Sequence, residues 1–433
     1  KLLILLLEGI SMEELAYSLN TFYYIMMGAL VMWMAAGFTM LEAGLVRKKN
    51  TAEIVTKNMG LYSIACIMFM ICGYKALYAT EGNGVLPVFS FDWMNTEPGG
   101  ASIEGYEDDG TPYAANASDF FFQVVFVATA VSIVSGAVAE RMNQWPFFAL
   151  AAFVAGFVYP VQGYWNWGEG FLYTEHGYSD YAGSGTVHLL GAACALAGAI
   201  FIGPRLGKYG KETGKFFGIF PKAKTNKLYG ANMPAAALGT FILWLGWFGF
   251  NGGSALAVDN AAKANEVAQV VMNTNAAAAG GVISCLIVAR VFFKKTNLIY
   301  ALNGAIGGLV AITASPATPT GLEASIIGAF GGLLCYGSLV ALEQFFKVDD
   351  PVGAISAHGT SGIFGIMVVP LTAEGATFTG QAIGVLAIAS WGFVLTFAFL
   401  YLLNFIVPVR ASVAIQKKGL DAEEIGIEAY PEF

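Results

Sequence analysis

Asp180–His188, DYAGSGTVH, and Asp350–His358, DPVGAISAH, are the two stretches on which the reading of this chain turns. Each places an Asp eight residues before a His, and each His falls inside a long apolar run. Eight residues of helix rise about 12 Å, and half the hydrocarbon thickness of a bilayer is about 15 Å. The spacing therefore predicts an Asp near one membrane face and a His near the midplane, twice over.

The rest of the chain has to be a membrane protein for that to hold, and its composition agrees. Of 433 residues, 56% are apolar and 12% charged, against roughly 25% charged in soluble domains. Glycine, 53 residues, is spread through the apolar runs, as in membrane helices that pack on small residues. Disorder and an ordinary soluble enzyme are excluded, and a net charge of −8 argues against nucleic acid as a partner. The five cysteines are scattered within apolar stretches, with neither metal-ligand spacing nor a disulfide framework.

Runs long enough to span a bilayer fall near 21–45, 58–79, 120–139, 146–164, 185–203, 232–252, 267–291, 298–315, 322–341, 355–372 and 381–408. The connections alternate in charge. That from 80 to 119 has eight acids and no base, whereas that from 204 to 231 has seven bases. With basic loops inside, 19 of the 22 bases agree on one orientation, with the N-terminus outside and the C-terminus inside. The expectation is an all-α integral membrane protein of eleven transmembrane helices. It divides into an outer segment 1–19, a membrane domain 20–408 and a cytoplasmic tail 409–433. The opening KLLILLLEGIS is too short to span and reads as the remnant of a secretory signal or a leftover of cloning.

In this topology Asp180 enters from outside and Asp350 from inside. The same spacing with opposite membrane sense marks an inverted repeat, spans one to five against six to ten, with the eleventh left over. Two such helices would bring His188 and His358 together at the membrane centre. Two core histidines with satisfied hydrogen bonds are the alternative, but ionisable groups at that depth are commonly functional. Asp180 and Asp350 read as structural groups that cap helices or fix loops. His176 lies in an outer connection and reads as a solvated loop residue.

Paired neutral imidazoles offer hydrogen bonds and weak basicity without a fixed charge. A metal cation finds no carboxylate ring there and an anion no Arg or Lys. Ammonium, which can shed a proton and cross as ammonia, suits such a site, because a dry passage penalises any ion that stays charged. Trp165 and Trp167 in WNWG stand at the outer end of the fourth run, where a cation resting on an indole gains roughly 0.5–2 kcal/mol. Interfacial belt tryptophans would look the same. Phe126 in FFFQVVF and Phe250 in WFGFNGGS lie at depths from which both can cover one vestibule.

The segment from Asp180 to Arg205, with GFTMLEAGLVRKKN (37–50), SGAVAER (135–141), WFGFNGGS (247–254), ALNGAIGGLV (301–310) and DDPVGAISAHG (349–359), closely resembles the signature of the ammonium transporter (Amt/Mep/Rh) family. The match runs in order over nearly the whole chain. The resemblance implies an eleven-helix protomer in a homotrimer, set in membrane lipid, with a pore in each protomer and no cofactor. By motif it makes His188 and His358 the twin pore histidines and Phe126 and Phe250 the stacked gate. Phe122 and Gln123 then line the vestibule one turn above, Trp167 and Ser254 with Phe126 recruit ammonium, and Asp180 is the structural acid beneath.

Three departures stand out. The stretch between Trp167 and Asp180 is a residue longer than in common members, which leaves Trp165 as a rival to Trp167. Gly353 occupies a position where many members carry an acid. In the tail, GLDAEEIGIEAY (419–430) has Ile425 and Ile427 where the family pattern has His and Glu, which puts regulation by a PII-type protein in doubt. The readings in play are an ammonium transporter, an ammonium sensor joined to a fused signalling domain beyond Phe433, and a neutral-gas or water channel of the same architecture.

Overall fold

Polar residues at the heads of the apolar runs decide where helices begin. Thr320 and Glu323 form a reciprocal capping box, and the side chains of Asn232, Asn260, Asn297 and Thr377 each accept a backbone N–H at a helix start, satisfying donors with no partner within the helix. The structure is a computed structural model and describes residues 12–91, 114–216 and 220–431. The apolar start 1–11 and the acid-rich stretch 92–113 lie outside the described residues.

The described chain runs through α1 (Met12–Leu45), α2 (Lys48–Leu77), α3 (Asn116–Val138), α4 (Gln144–Thr174), α5 (Ser184–Ile202), β1 (Tyr209–Phe216), β2 (Phe220–Thr225), α6 (Met233–Gly253) and α7 (Ala261–Phe293). After these come α8 (Leu298–Thr313), α9 (Gly321–Phe346), α10 (Ile355–Thr372), α11 (Phe378–Leu403) and the short α12 (Val413–Lys418). Ten of the helices are long and apolar enough to cross a membrane, and α8, with 16 residues, is shorter. The protein is a multi-pass membrane protein.

The helices track the apolar runs, with two differences of physical origin. The first helix begins at Met12 rather than near 21, with Glu13 and Glu14 in its first turn, where acids suit the helix dipole. The second begins at Lys48 rather than near 58 and carries Glu53 and Lys57 as a buried ion pair, 2.5 Å apart, so charge inside a helix concealed its start. The basic connection after α5 is not purely helical or irregular. Its Lys-rich segments pair as an antiparallel hairpin, Tyr209 opposite Thr225 and Lys215 opposite Pro221, which corrects the all-α expectation. Alternating charged residues without a 3.6-residue apolar stripe suit an exposed ribbon. The hairpin is tied to the body where the Lys347 ammonium donates to the Ala223 carbonyl at 3.0 Å.

α1 packs along α6, α3 lies between α1 and α5, α11 covers α5, and α7, α8 and α9 form a second group. The α1–α6 seam depends on small residues. A Cβ on Gly239 would stand 2.6 Å from the Gly37 carbonyl oxygen, so only glycine allows this approach. α3 is the most enclosed of the long helices, whereas α1, α6 and α7 present Trp33, Phe241 and Ile283 outward.

At the basic end the tail packs back onto the helix ends. Asp421 accepts the Glu53 backbone N–H at 2.8 Å, Glu424 that of Gln144 at 2.9 Å, and Asn50 that of Leu420 at 3.0 Å. Two carboxylates thus serve as caps for the first turns of α2 and α4. Ile427 is exposed.

Candidate functional site

The two Asp–His segments start α5 and α10. The Asp180 carboxylate accepts from the backbone N–H of Gly183 (3.1 Å), Gly185 (2.9 Å) and Thr186 (2.9 Å), from the Thr186 hydroxyl (3.2 Å) and from the Tyr178 hydroxyl (3.3 Å). The Asp350 carboxylate accepts from the N–H of Val352, Gly353 and Ile355, the last at 2.7 Å. The chain turns at a glycine with positive φ in both, Gly183 at +101° and Gly353 at +84°. Burial pushes both carboxyls up, and the N–H groups of Thr186 and Gly185, or of Ile355 and Gly353, act against that. Each helix then opens with a widened π turn, Ser184–Leu189 and Ile355–Thr360, that holds its histidine.

One expectation from spacing fails here. The eight residues from Asp to His are not continuous helix, because the chain folds over the carboxylate before the helix starts. Helix begins only at Ser184, and Asp180 is a buried cap, 4% exposed.

His188 and His358 are both buried, with rings 5.2 Å apart at 28° and Nδ1 atoms 3.2 Å apart. Two nitrogens at that distance share one hydrogen, so one ring donates while the other accepts. The two Nε2 atoms then have opposite character, one donor and one acceptor, and exchanging the shared proton reverses both. His188 Nε2 is buried without a hydrogen-bond partner. A buried imidazole nitrogen left open points to a ligand that can donate or accept there.

Around the pair is an aromatic column. Phe250 stacks on His188 at 5.2 Å, and Phe126 stacks on Phe250 at 3.9 Å and 21°. Phe122 follows at 4.7 Å from Phe126, and Trp167 meets Phe126 edge to face at 6.1 Å. The Trp167 indole N–H donates to the Asp180 carbonyl at 3.1 Å, so the cap of α5 also orients this ring. Trp165 instead donates to the Val85 carbonyl and packs against Phe171 and Trp391. The Ser254 hydroxyl donates to the Phe250 carbonyl at 2.9 Å, so Trp167 and Ser254 are joined through the stacked phenyls. Gln123 donates to the Tyr78 hydroxyl at 2.5 Å and leaves its buried Oε1 without a partner. His176 packs against Phe171 and takes no part in the pair.

Sequence reasoning missed Trp247. Its ring stacks on His188 at 4.9 Å and lies nearly parallel to His358 at 6.5 Å, while its N–H donates to the Thr313 hydroxyl at 2.8 Å. The signal was available, because Trp247 and Phe250 stand three residues apart and so share a helix face. Beyond His358 lies a narrow cavity walled by Phe38, Leu41, Glu42, Ser132 and Asn303. The chain thus builds an aromatic stack, an imidazole pair and a cavity in series, a sequence of groups suited to a small, weakly basic solute.

The profile of the Ammonium Transporter Family matches residues 22–430. The chain belongs to this family. Ammonium transporter Amt2 of Archaeoglobus fulgidus is 34% identical over 436 residues, covering 94% of this chain and 87% of that one. Among solved structures, a sensor Amt protein superposes with a TM-score of 0.85 at 33% identity, over 95% of this chain and 99% of that chain. Candida albicans Mep2 shares the fold, with a TM-score of 0.77 at 23% identity over 94% of this chain and 89% of that chain.

Proposed function

We propose that this family member conducts ammonium across a membrane through the aromatic column and the histidine pair. Eleven helices cross, with the N-terminus outside and the C-terminus inside, spans one to five and six to ten forming the mirrored halves. Three protomers associate in the lipid of the cell membrane, each with its own pore. Ammonium is recruited against Trp167, Phe126 and Ser254, beside Phe122 and Gln123. It passes the gate of Phe126 and Phe250 after giving up its proton, and crosses His188 and His358 as ammonia. Asp180 and Asp350 hold the two helix starts and exchange no proton.

The observation that carries this reading is the 3.2 Å Nδ1–Nδ1 contact, with Phe250 stacked on one histidine and a cavity against the other. A proton hop along a shared hydrogen bond and passage of a neutral molecule both suit that geometry. Reconstituted protein should pass current on an ammonium pulse, and changing His188 and His358 together to Ala should abolish it. Undiminished current in the double variant would refute the pore assignment.

A second reading, an ammonium sensor that binds without substantial transport and signals to a cytoplasmic domain, is favoured by the 0.85 superposition on a sensor Amt protein. Tight ammonium binding with no current would establish it in place of the first. The tail's contacts with α2 and α4 give either reading a route from pore to cytoplasm, through a PII-type protein or a fused domain.

A further inference from the structure

Glu42 is a buried carboxylate that the conduction path, as described, leaves unused. It lies near the end of α1 and is 1% exposed. Oε1 accepts from the Ser135 hydroxyl at 2.6 Å and Oε2 from the Asn58 amide at 3.0 Å, both neutral donors. The charged groups facing it are Lys57 and Glu53 of α2, which are already paired with each other at 2.5 Å. Lys57 also lies over the Phe147 ring, 5.2 Å from its centre. From α3 it meets Ser132 and Ser135, from α8 Asn303, and from α10 His358, the other titratable group on the cavity wall.

An ionised carboxylate removed from water without a countercharge of its own is costly. Two accepted hydrogen bonds use only half of its roughly four lone-pair sites. The remaining capacity adjoins a cavity that is otherwise mostly apolar, walled by Phe38, Leu41 and Ile306. A helix-packing glutamine would keep the bond from Ser135 and meet Asn58 once that amide, whose Oδ1 has no hydrogen-bond partner, turns to accept, so packing alone does not call for an acid. What an acid adds is the capacity to hold and release a proton beside His358.

We propose that Glu42 is the proton-transfer group at the inner end of the histidine pair. This rests on the conduction reading, in which the proton removed from ammonium has to be returned. A proton on the His358 imidazole leaves as its N–H bond breaks and an O–H bond forms on Glu42, giving a neutral ring and a carboxylic acid. Ammonia emerging into the cavity then takes that proton. The O–H bond breaks, an N–H bond forms, and ammonium departs while the carboxylate is restored.

The test uses full-length protein in proteoliposomes and reads the charge moved per nitrogen atom taken up, from pulse currents and uptake of isotope-labelled ammonium. Glu42→Gln, which keeps the size of the side chain and the bond from Ser135, should lower that ratio ~10-fold or more, as loss of a general acid–base group does. Glu42→Asp should hold it near the wild-type value. A ratio unchanged in Glu42→Gln would overturn the proposal. So would current and uptake falling together in both variants in step with the melting temperature, which marks a structural role. Wild-type protein without current, or current surviving the double histidine variant, removes the conduction reading and this proposal with it. Current lost in the double histidine variant beside an unchanged ratio in Glu42→Gln removes this proposal alone.

Discussion

Five donor groups converge on the Asp180 carboxylate: three backbone N–H groups and the hydroxyls of Thr186 and Tyr178. An amide in its place turns one oxygen into a donor facing other donors. Asp180→Asn should therefore lower stability by about 2–3 kcal/mol, in the range for buried hydrogen bonds to a charged group. Thermal unfolding of the detergent-solubilised protein reads this directly. Because the same residue's carbonyl receives the Trp167 indole N–H, ammonium affinity should weaken in the surviving folded fraction. Unchanged melting would contradict the role as a cap. At this scale the sequence was partly legible. An acid placed just ahead of an apolar run reads as a cap, and a rare residue type such as His, present three times, can be weighed one residue at a time. Trp247 and Glu42 were not legible in the same way, because each sits in an apolar segment and gains its meaning from partners on other helices, Thr313 for Trp247 and Ser135, 93 residues away, for Glu42.

Two elements, the openings of α5 and α10, share one construction: acid, positive-φ glycine, widened turn, histidine. In the second, the glycine is Gly353, and a Cβ there would stand 2.6 Å from Asn303 Oδ1 and 2.8 Å from Leu339 Cδ2, on a backbone with φ of +84°. Both the space and the dihedral disfavour any side chain. Gly353→Ala should then cost about 1–3 kcal/mol and displace the His358 turn, visible as a lower melting temperature together with reduced ammonium current. A variant that melts and conducts like the wild type would show that the turn yields freely. The helices themselves were legible from apolar length, since a bilayer imposes a minimum run. The hairpin after α5 was not, because its strands are held by backbone pairing and by Lys347 from a distant connection. The widened turns were equally hidden, as nothing in SGTVHL or ISAHGT separates them from ordinary helix.

Across the whole molecule, the basic end is tied together by an ionic network that no local pattern announces. Arg205, just past α5, forks onto Asp349 through Nε and Nη2, both at 2.9 Å, and reaches Glu140 through Nη1 at 2.6 Å. Glu140 also receives Arg47 and Asn50, and Arg141 donates to the Asp349 carbonyl at 2.6 Å. The ends of α1, α3, α5 and α9 are thereby joined around buried charges, with Arg205 bound to acids 65 and 144 residues away along the chain. Breaking such a cluster by removing one partner leaves the others uncompensated, so Arg205→Ala should cost about 3–5 kcal/mol. The pH dependence follows from Asp349. Burial raises its carboxyl, but Arg205 and Arg141 outweigh that and hold it well below the usual carboxylate range. A depressed folded-state value means the stabilisation is complete above the unfolded value near 3.9 and disappears as pH falls through the lower folded one. Wild-type melting temperature should therefore drop as pH is lowered below about 4. In Arg205→Ala the curve should start lower at neutral pH and fall less on acidification, because Asp349 then has little charge-dependent stabilisation left to lose. Parallel curves for the two proteins would mean that the network does not hold the helix ends together.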